Sequence, residues 1–401
     1  MTPDHPSADP LLAYRPRFPI LARTNYLISN SLGAVPEAAA QRLREYYDLW
    51  AGRGVRAWED AWWTMAADLG DTVAPLIGAG PGEVVFQPCV TLAHAVVLSA
   101  IRFTTRRPRI VVDEMHFPSI LYLLKEQAAR GAEIVVVPSE DGITVDADRV
   151  IRAIDDRTAL VAISHVLFKS AFIHDAAAIA ERARAAGALT IVDGYQAVGV
   201  IPVDVGALGV DVYIGGCLKW LCGGPGAAFL WVDPALGRAL EPALTGWMAH
   251  ARPFAFEPEL ERRPDAWRFL HGTPNIPALY AARAGIEIVR EIGVAAIRAK
   301  SIRQTTRLLE LASAEGWPCT TPADPERRGG TVAINVENGL EIARSLKALD
   351  VVCDFRPGAG IRLSPHFYNT DQELDAAVAA IREVQSTGAW RAFAARHGAV
   401  T

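Results

Sequence analysis

Lysine is scarce in this chain. Forty residues are basic, but only Lys125, Lys169, Lys219, Lys300 and Lys347 are lysines, and arginine supplies the rest. A lysine set among glycines and apolar residues therefore stands out. Cysteine is scarce too: Cys89, Cys217, Cys222, Cys319 and Cys353 are odd in number and scattered, and none forms a Cys-x-x-Cys pair. That argues against a disulfide framework or a cysteine zinc site, and no metal is expected. Positive charge is not in excess: 40 basic against 45 acidic residues leave a net charge of −5. A nucleic-acid partner, whose footprint is a basic patch, is not expected. There is no uncharged apolar run of about twenty residues, so no membrane span is expected. Residues 1–19 have no apolar core of a signal peptide, and the cytoplasm is the expected compartment. There is no internal repeat and no low-complexity tract.

What remains is a 401-residue chain, 51% hydrophobic and 21% charged, with the balance of a globular enzyme of more than one domain. Residues 1–35 read as an N-terminal arm, its first twenty loosely draped. A helix opens at Pro36, and helical periodicity returns from Ala57 to Ile77 with Trp58, Trp62 and Trp63. Aromatics at that spacing serve a core, a subunit interface or a pocket wall. From Glu83 onward short apolar runs alternate with helical patterns. Seven strands are predicted, at 84–86, 110–112, 134–137, 160–164, 189–192, 212–215 and 228–232. Such alternation implies an α/β fold, with a mostly parallel seven-stranded sheet and helices on both faces. The last two strands are too close for a crossover and are expected to be antiparallel. The expected domains are a large one over 36–275 and a small C-terminal α+β domain over 276–401.

Lys219 lies just beyond the 212–215 strand, in Gly215-Gly216-Cys217-Leu218-Lys219-Trp220-Leu221-Cys222-Gly223-Gly224-Pro225-Gly226. Burial there makes a neutral, nucleophilic amine of the kind a Schiff-base lysine needs. The plain alternative is a lysine whose stem packs while its head reaches water. Asp193 ends another apolar strand, in Thr190-Ile191-Val192-Asp193-Gly194. Ligands of α/β sheets gather at strand carboxyl ends, although a helix N-cap also explains an aspartate there.

A strand-end Asp, a glycine-framed Lys and the Gly-Gly-Pro-Gly turn together resemble the class V aminotransferase family. Within it, the kynureninase branch is similar over nearly the whole chain. Asn30-Ser31-Leu32-Gly33-Ala34-Val35-Pro36 resembles its NSLG-x-x-P opening, and Arg56-Ala57-Trp58 its next segment. Phe117-Pro118-Ser119, Lys219 to Gly226, Gly246-Trp247-Met248-Ala249-His250 and Arg268-Phe269-Leu270-His271-Gly272-Thr273 resemble later stretches in the same order. The resemblance implies the fold type I architecture of pyridoxal phosphate enzymes, with pyridoxal 5′-phosphate as cofactor and a small amino acid as substrate.

It also implies roles. Lys219 would carry the cofactor as a Schiff base and Asp193 would pair with the ring nitrogen. Val90 and Thr91, at a strand-to-helix turn, would hold the phosphate; helix N-terminal amides suit an anion. Phe117 would stack on the ring, or simply pack in the core. His165, in Ser164-His165-Val166, would shape the cofactor face, or be a core histidine. Gln196 and Trp247 would complete the cofactor site. Thr273 would reach the phosphate of a partner subunit across a homodimer interface. Arg362, in an Arg-x-Ser stretch followed by Tyr368-Asn369-Thr370, would grip the substrate carboxylate as a bidentate fork; a salt bridge is the alternative. Asn30, His250 and Trp247 would help frame the substrate.

The chain departs from the kynureninase pattern in three respects. Leu218 replaces the phosphate-binding Tyr, Gln196 replaces a His as in cysteine desulfurases, and Leu167 and Phe168 stand where an Asn is common. The segment 356–361 carries no cysteine, which disfavours persulfide chemistry. The implied reaction is cleavage of the Cβ–Cγ bond of kynurenine or a related aryl-keto amino acid. The alternatives are a class V aminotransferase, β-lyase or epimerase, or a cofactor-free scaffold.

Overall fold

The structure is a computed structural model that describes residues 9–394. The first eight residues of the expected arm lie outside the described residues. From Asp9 the arm is not loosely draped. Two 3-10 helices, Pro10–Arg17 and Pro19–Ala22, lead into strand β1 (Asn25–Tyr26). Phe18 is buried against the rings of Phe367 and Tyr368, and Arg15 pairs with Glu373 at 2.8 Å. Composition hid this: the arm is polar overall, but Phe18, Leu21, Tyr26, Leu27 and Ile28 are buried.

Helices α1 (Ala38–Arg53) and α2 (Met65–Val73) follow. The tryptophan segment between them is a π-helical turn, Trp58–Trp62, which breaks the continuous helical period expected there. The alternating part then runs β2 (Val84–Gln87), α3 (Val90–Ser99), β3 (Arg109–Asp113), α4 (Pro118–Lys125), β4 (Glu133–Val137), α5 (Ala147–Ala153), β5 (Thr158–Ser164), α6 (Ala176–Ala185), β6 (Leu189–Asp193), α7 (Val205–Leu208), β7 (Val212–Gly216) and β8 (Ala228–Val232). These strands form one seven-stranded sheet in the order β2-β8-β7-β6-β5-β3-β4. Strand β8 is antiparallel to both its neighbours, β2 and β7, while β3 to β7 pair in parallel. Central strands such as β5 and β6 are almost wholly apolar because helices cover both faces.

After α8 (Pro234–Gly237), two long helices, α9 (Ile276–Ile292) and α10 (Val294–Ala314), meet at Gly293, whose φ of 82° ends the first helix. Then come β9 (Val332–Ile334), α11 (Gly339–Ala348), β10 (Val351–Val352), β11 (Asp354–Arg356), β12 (Gly360–Leu363) and α12 (Asp371–Thr387). Strands β11, β12 and β9 make an antiparallel sheet, and β10 pairs with β1 of the arm. Leu279, Ala282, Ile286 and Val289 of α9 share the core of the large sheet. The second core takes Leu308 of α10 and the C-terminal elements, with Leu27 from the arm. The core of the large sheet also takes Ile297 of α10 and, from farther along the chain, Phe367 and Tyr368.

The parallel strands bring Ser164, Asp193 and Ile214 side by side in register at one end of the sheet. Lys219 follows β7 immediately, and the N-terminus of α3 follows β2.

Candidate active site

A cavity of about 190 Å³ opens at this sheet end. Cys89, Val90 and Thr91 line it from the start of α3, Phe117 and Ser119 from the start of α4, and Ser164, Val166 and Phe168 from beyond β5. Asp193, Tyr195, Gln196 and Lys219 complete it. Six residues expected at the cofactor therefore share one wall: Val90, Thr91, Phe117, Asp193, Gln196 and Lys219.

Lys219 is 8% exposed, so it is not a solvated surface lysine. Burial pushes its amine down to about 7, against the opposing pull of Asp193. Its Nζ sits 4.2 Å from the centre of the Tyr195 ring and 5.8 Å from that of Phe117. The loop that carries it is clamped by the Asn30–Gly33 turn. The Gly33 N–H donates to the Leu218 carbonyl at 2.9 Å, and a Cβ at Gly33 would stand 2.1 Å from the Lys219 carbonyl oxygen. Only glycine allows that approach.

The Asp193 carboxyl is pushed up by burial and pulled back by His94, by the Tyr195 N–H and by Lys219. The Tyr195 N–H donates to its Oδ1 at 2.8 Å. Helix α3 begins at Cys89 with no side-chain cap, so its first amides have no intrahelical partner. Gln196 is held at both ends: its Nε2 donates to the Asn30 carbonyl and its Oε1 accepts from Trp220 Nε1, each at 2.9 Å. Trp220 replaces nothing chemical here; it anchors the departure at 196.

The other expected residues lie elsewhere. His165 turns away from the cavity, its Nδ1 2.9 Å from the Tyr213 hydroxyl, and burial pushes it down to about 4. The physical reason is strand alternation, which gives Ser164 and Val166 to the cavity and His165 to the opposite face. Asn30 is buried beside the Lys219 loop, with both side-chain amide atoms unpartnered, but does not line the cavity.

Arg362 stands behind Phe168. Its Nε and Nη2 fork onto Asp354 and its Nη1 donates to the Phe168 carbonyl. The salt-bridge alternative is therefore present, but buried, and each terminal nitrogen keeps a second N–H. Arg362, Asp354 and Arg356 all act electrostatically on Lys219.

Trp247 and His250 lie on a separate surface. Trp247 is 43% exposed and packs on Trp63, Phe254 and Phe256. Both ring nitrogens of His250 are occupied by the backbone of its own loop, at Glu259 and Arg252. Thr273 is exposed and does not reach the cavity of its own chain. Cys89, Ser119 and Phe168 were not anticipated as wall residues. Cys89 was findable, because it directly precedes Val90-Thr91; Phe168 was marked only as a departure from the family pattern, because its loop has no regular period to show which way it faces.

The wall fits pyridoxal 5′-phosphate. It offers an amine held near neutrality, a buried carboxylate able to face a ring nitrogen, an aromatic face at Phe117 and open helix amides for a phosphate.

The chain is similar to known proteins over nearly its whole length. Kynureninase of Burkholderia pseudomallei is 34% identical over 406 residues, covering 97% of this chain and 96% of that one. Kynureninase of Pseudomonas fluorescens is 32% identical over 407 residues, with the same coverage. Among solved structures, a cysteine desulfurase from Thermococcus onnurineus NA1 superposes with a TM-score of 0.83 at 21% identity, over 94% of this chain and 98% of that one. The cysteine desulfurase CsdA from Escherichia coli reaches 0.80 at 22% identity, over 94% and 98%. At such identities these two structures speak for the fold. The aminotransferase class-V family model matches residues 25–376, and with the relatives' near-complete coverage it establishes that this chain belongs to the class V aminotransferase family.

Proposed function

We propose that the chain is a kynureninase-like hydrolase dependent on pyridoxal 5′-phosphate. With one water as co-reactant, it cleaves the Cβ–Cγ bond of kynurenine or a related aryl-keto amino acid: the aryl carbonyl leaves as an aromatic acid with the water's hydroxyl, and Cβ takes a proton to give alanine. The observation that carries this reading is the buried Lys219 amine, lowered to about 7, in one cavity wall with Asp193 and the open start of α3. The whole-length likeness to kynureninases selects the reaction among those the family supports.

When bound, the cofactor supplies an electron sink for charge that develops at the substrate's Cα. Lys219 provides the amine that holds the cofactor and, once freed, the base that takes the Cα proton at Nζ. An amine near 7 is suited to that task, since it accepts a proton at neutral pH without being already charged. Asp193 remains buried and anionic to keep a proton on the ring nitrogen. The amides of Val90 and Thr91 offer hydrogen bonds to phosphate, which compensates in part for Leu218. Arg362, fixed by Asp354, directs its remaining N–H groups to the substrate carboxylate. Phe117 and Phe168, with ring centres 5.2 Å apart, give the cavity an apolar side for an aromatic substrate.

On this reading the enzyme is a homodimer in which Thr273 serves the partner's phosphate and Trp247 the partner's cavity. The support is that both are exposed and remote from the cavity of their own chain.

Another outcome at the same site is favoured by one observation, Gln196 in place of the kynureninase His. A persulfide route through Cys353 is not: this residue, before β11, is fully buried, and burial pushes its thiol up to about 12. The deciding experiment incubates the cofactor-loaded protein with L-kynurenine and 3-hydroxykynurenine and follows anthranilates and alanine. Release of both products in equal amounts is expected. No turnover of either, with spectral changes on other amino acids, would replace this reading by an aminotransferase, lyase or epimerase.

A further inference from the structure

Asp193 has neighbours outside the cavity. His94 on α3 and His116 just before α4 do not line the cavity, yet one ring nitrogen of each and a carboxylate oxygen of Asp193 lie within 4.8 Å of one another. Both rings are buried, at 0% and 1% exposure.

Their backbone partners fix the neutral tautomers. His94 Nδ1 is 2.9 Å from the Val90 carbonyl, and a carbonyl only accepts, so Nδ1 carries the hydrogen and Nε2 is an acceptor. His116 Nδ1 accepts from the Phe117 N–H at 2.8 Å, so its hydrogen sits on Nε2. Both Nε2 atoms are buried without a partner. Native interiors rarely leave such atoms idle. The trio therefore joins two acceptors, His94 Nε2 and the Asp193 carboxylate, with one donor, His116 Nε2–H.

We propose that His94 and His116 form a buried seat for Asp193, two positioning residues that keep its carboxylate anionic and so keep a proton on the cofactor's ring nitrogen. The inference rests on the cofactor reading above. Burial alone drives a proton onto Asp193, and His94 is the first of the groups that oppose it. When the shared proton sits on His94 Nε2, against the burial that pushes that ring down, Asp193 is the anion and His94 Nε2–H its donor, so the proton and the carboxylate titrate as one unit beside His116 Nε2–H.

Other groups bear on this unit. Lys219 acts on Asp193, and Asp193 in turn acts on Tyr213, which is held by His165. His174 acts on His116 and stands 3.7 Å from Asp113, whose carboxyl burial pushes up to about 7. A metal cation in the trio would set positive charge against the ring N–H that Asp193 must hold, so the geometry points to a proton.

The test compares wild type, His94→Leu and His94→Gln, each titrated with pyridoxal 5′-phosphate and followed by visible absorbance. Circular dichroism confirms the fold. His94→Leu should lose about tenfold in cofactor affinity, the size expected for one hydrogen bond to a charged group. It should also shift the pH midpoint of the visible band and lower kcat with little change in KM. His94→Gln, which can donate to Asp193, should recover most of the affinity. Unchanged affinity and midpoint in both variants would overturn the seat, as would a stoichiometric metal ion in the purified wild type. A wild type that develops no visible band would instead overturn the cofactor reading, and this inference with it.

Discussion

The Lys219 cavity and the Trp247 surface were both expected to serve the reaction, and they are built in opposite ways. The cavity is made of strand ends and helix starts whose backbone is tied on every side, with Lys219 and Asp193 buried in its wall. The Trp247 surface is loops, with Trp247, Phe254 and Phe256 exposed by 43%, 62% and 76% and packed on one another. A monomeric protein seldom leaves such an aromatic patch open. On the proposed reading one chain carries the proton chemistry, while the parts expected to frame a ring and close the phosphate site face outward.

The largest effect separates the two regions most directly. Lys219→Ala removes the base at Cα and should lower turnover by roughly 10²–10⁴-fold or more. Trp247→Ala should cost far less, because no proton passes through an indole. Steady-state rates on L-kynurenine decide between them. Equal losses in the two variants would mean that the exposed surface is part of the chemistry after all.

Arg362 tests how far the buried region extends. Arg362→Ala removes the forked partner of Asp354, whose side chain is 0% exposed, and leaves it only the Arg356 contact at 3.3 Å. That should destabilise the fold, by less than the roughly 3–5 kcal/mol of a fully unpaired buried charge, read as a lower melting midpoint. Arg362→Lys keeps the charge but loses the fork, and KM for the amino acid should rise about tenfold with the fold retained. An unchanged KM in Arg362→Lys would take Arg362 out of the substrate site and leave it a salt bridge.

Much of the cavity was legible in the sequence, because strand ends are. An apolar run that stops at Asp193, or at glycines before Lys219, announces a position at the sheet edge. Gln196 was also legible as a departure, though not its two anchors, since Trp220 and Asn30 meet it across 24 and 166 residues of chain. His165 shows the limit. Its motif was plain, but which face it takes depends on where the strand's alternation ends, and one residue reverses the answer. The arm was misread because polar composition outweighed Phe18 and Leu21, whose burial needs partners some 350 residues away. The histidine pair beside Asp193 left no signal: His94 and His116 meet through tertiary packing of α3 on α4.

Thr273 and Trp247 sharpen the comparison from the other side. If a second subunit completes the cavity, Thr273→Ala should weaken cofactor binding by a few-fold, the worth of one phosphate hydrogen bond. The loss should appear only at protein concentrations where subunits associate, as followed by sedimentation. An affinity that is independent of dilution and of Thr273 would make the cavity self-sufficient.

The smallest effect concerns stability and pH. Lys219 has a folded-state pKa of about 7, below its ordinary value of 10.5. Between those two values the unfolded chain binds the extra proton, so stability rises with pH across that window. Below about 7 both states carry the charge, and the buried ammonium lowers stability by its full cost. The cofactor-free protein should therefore melt at a higher temperature at pH 8 than at pH 7. In Lys219→Met, with no amine to titrate, that part of the rise should vanish. Trp247→Ala should keep the rise, because the aromatic surface buries no cation of its own. If Lys219→Met retained the wild-type slope, the neutral amine would not be a property of the folded cavity, and the contrast between the two regions would lose its physical basis.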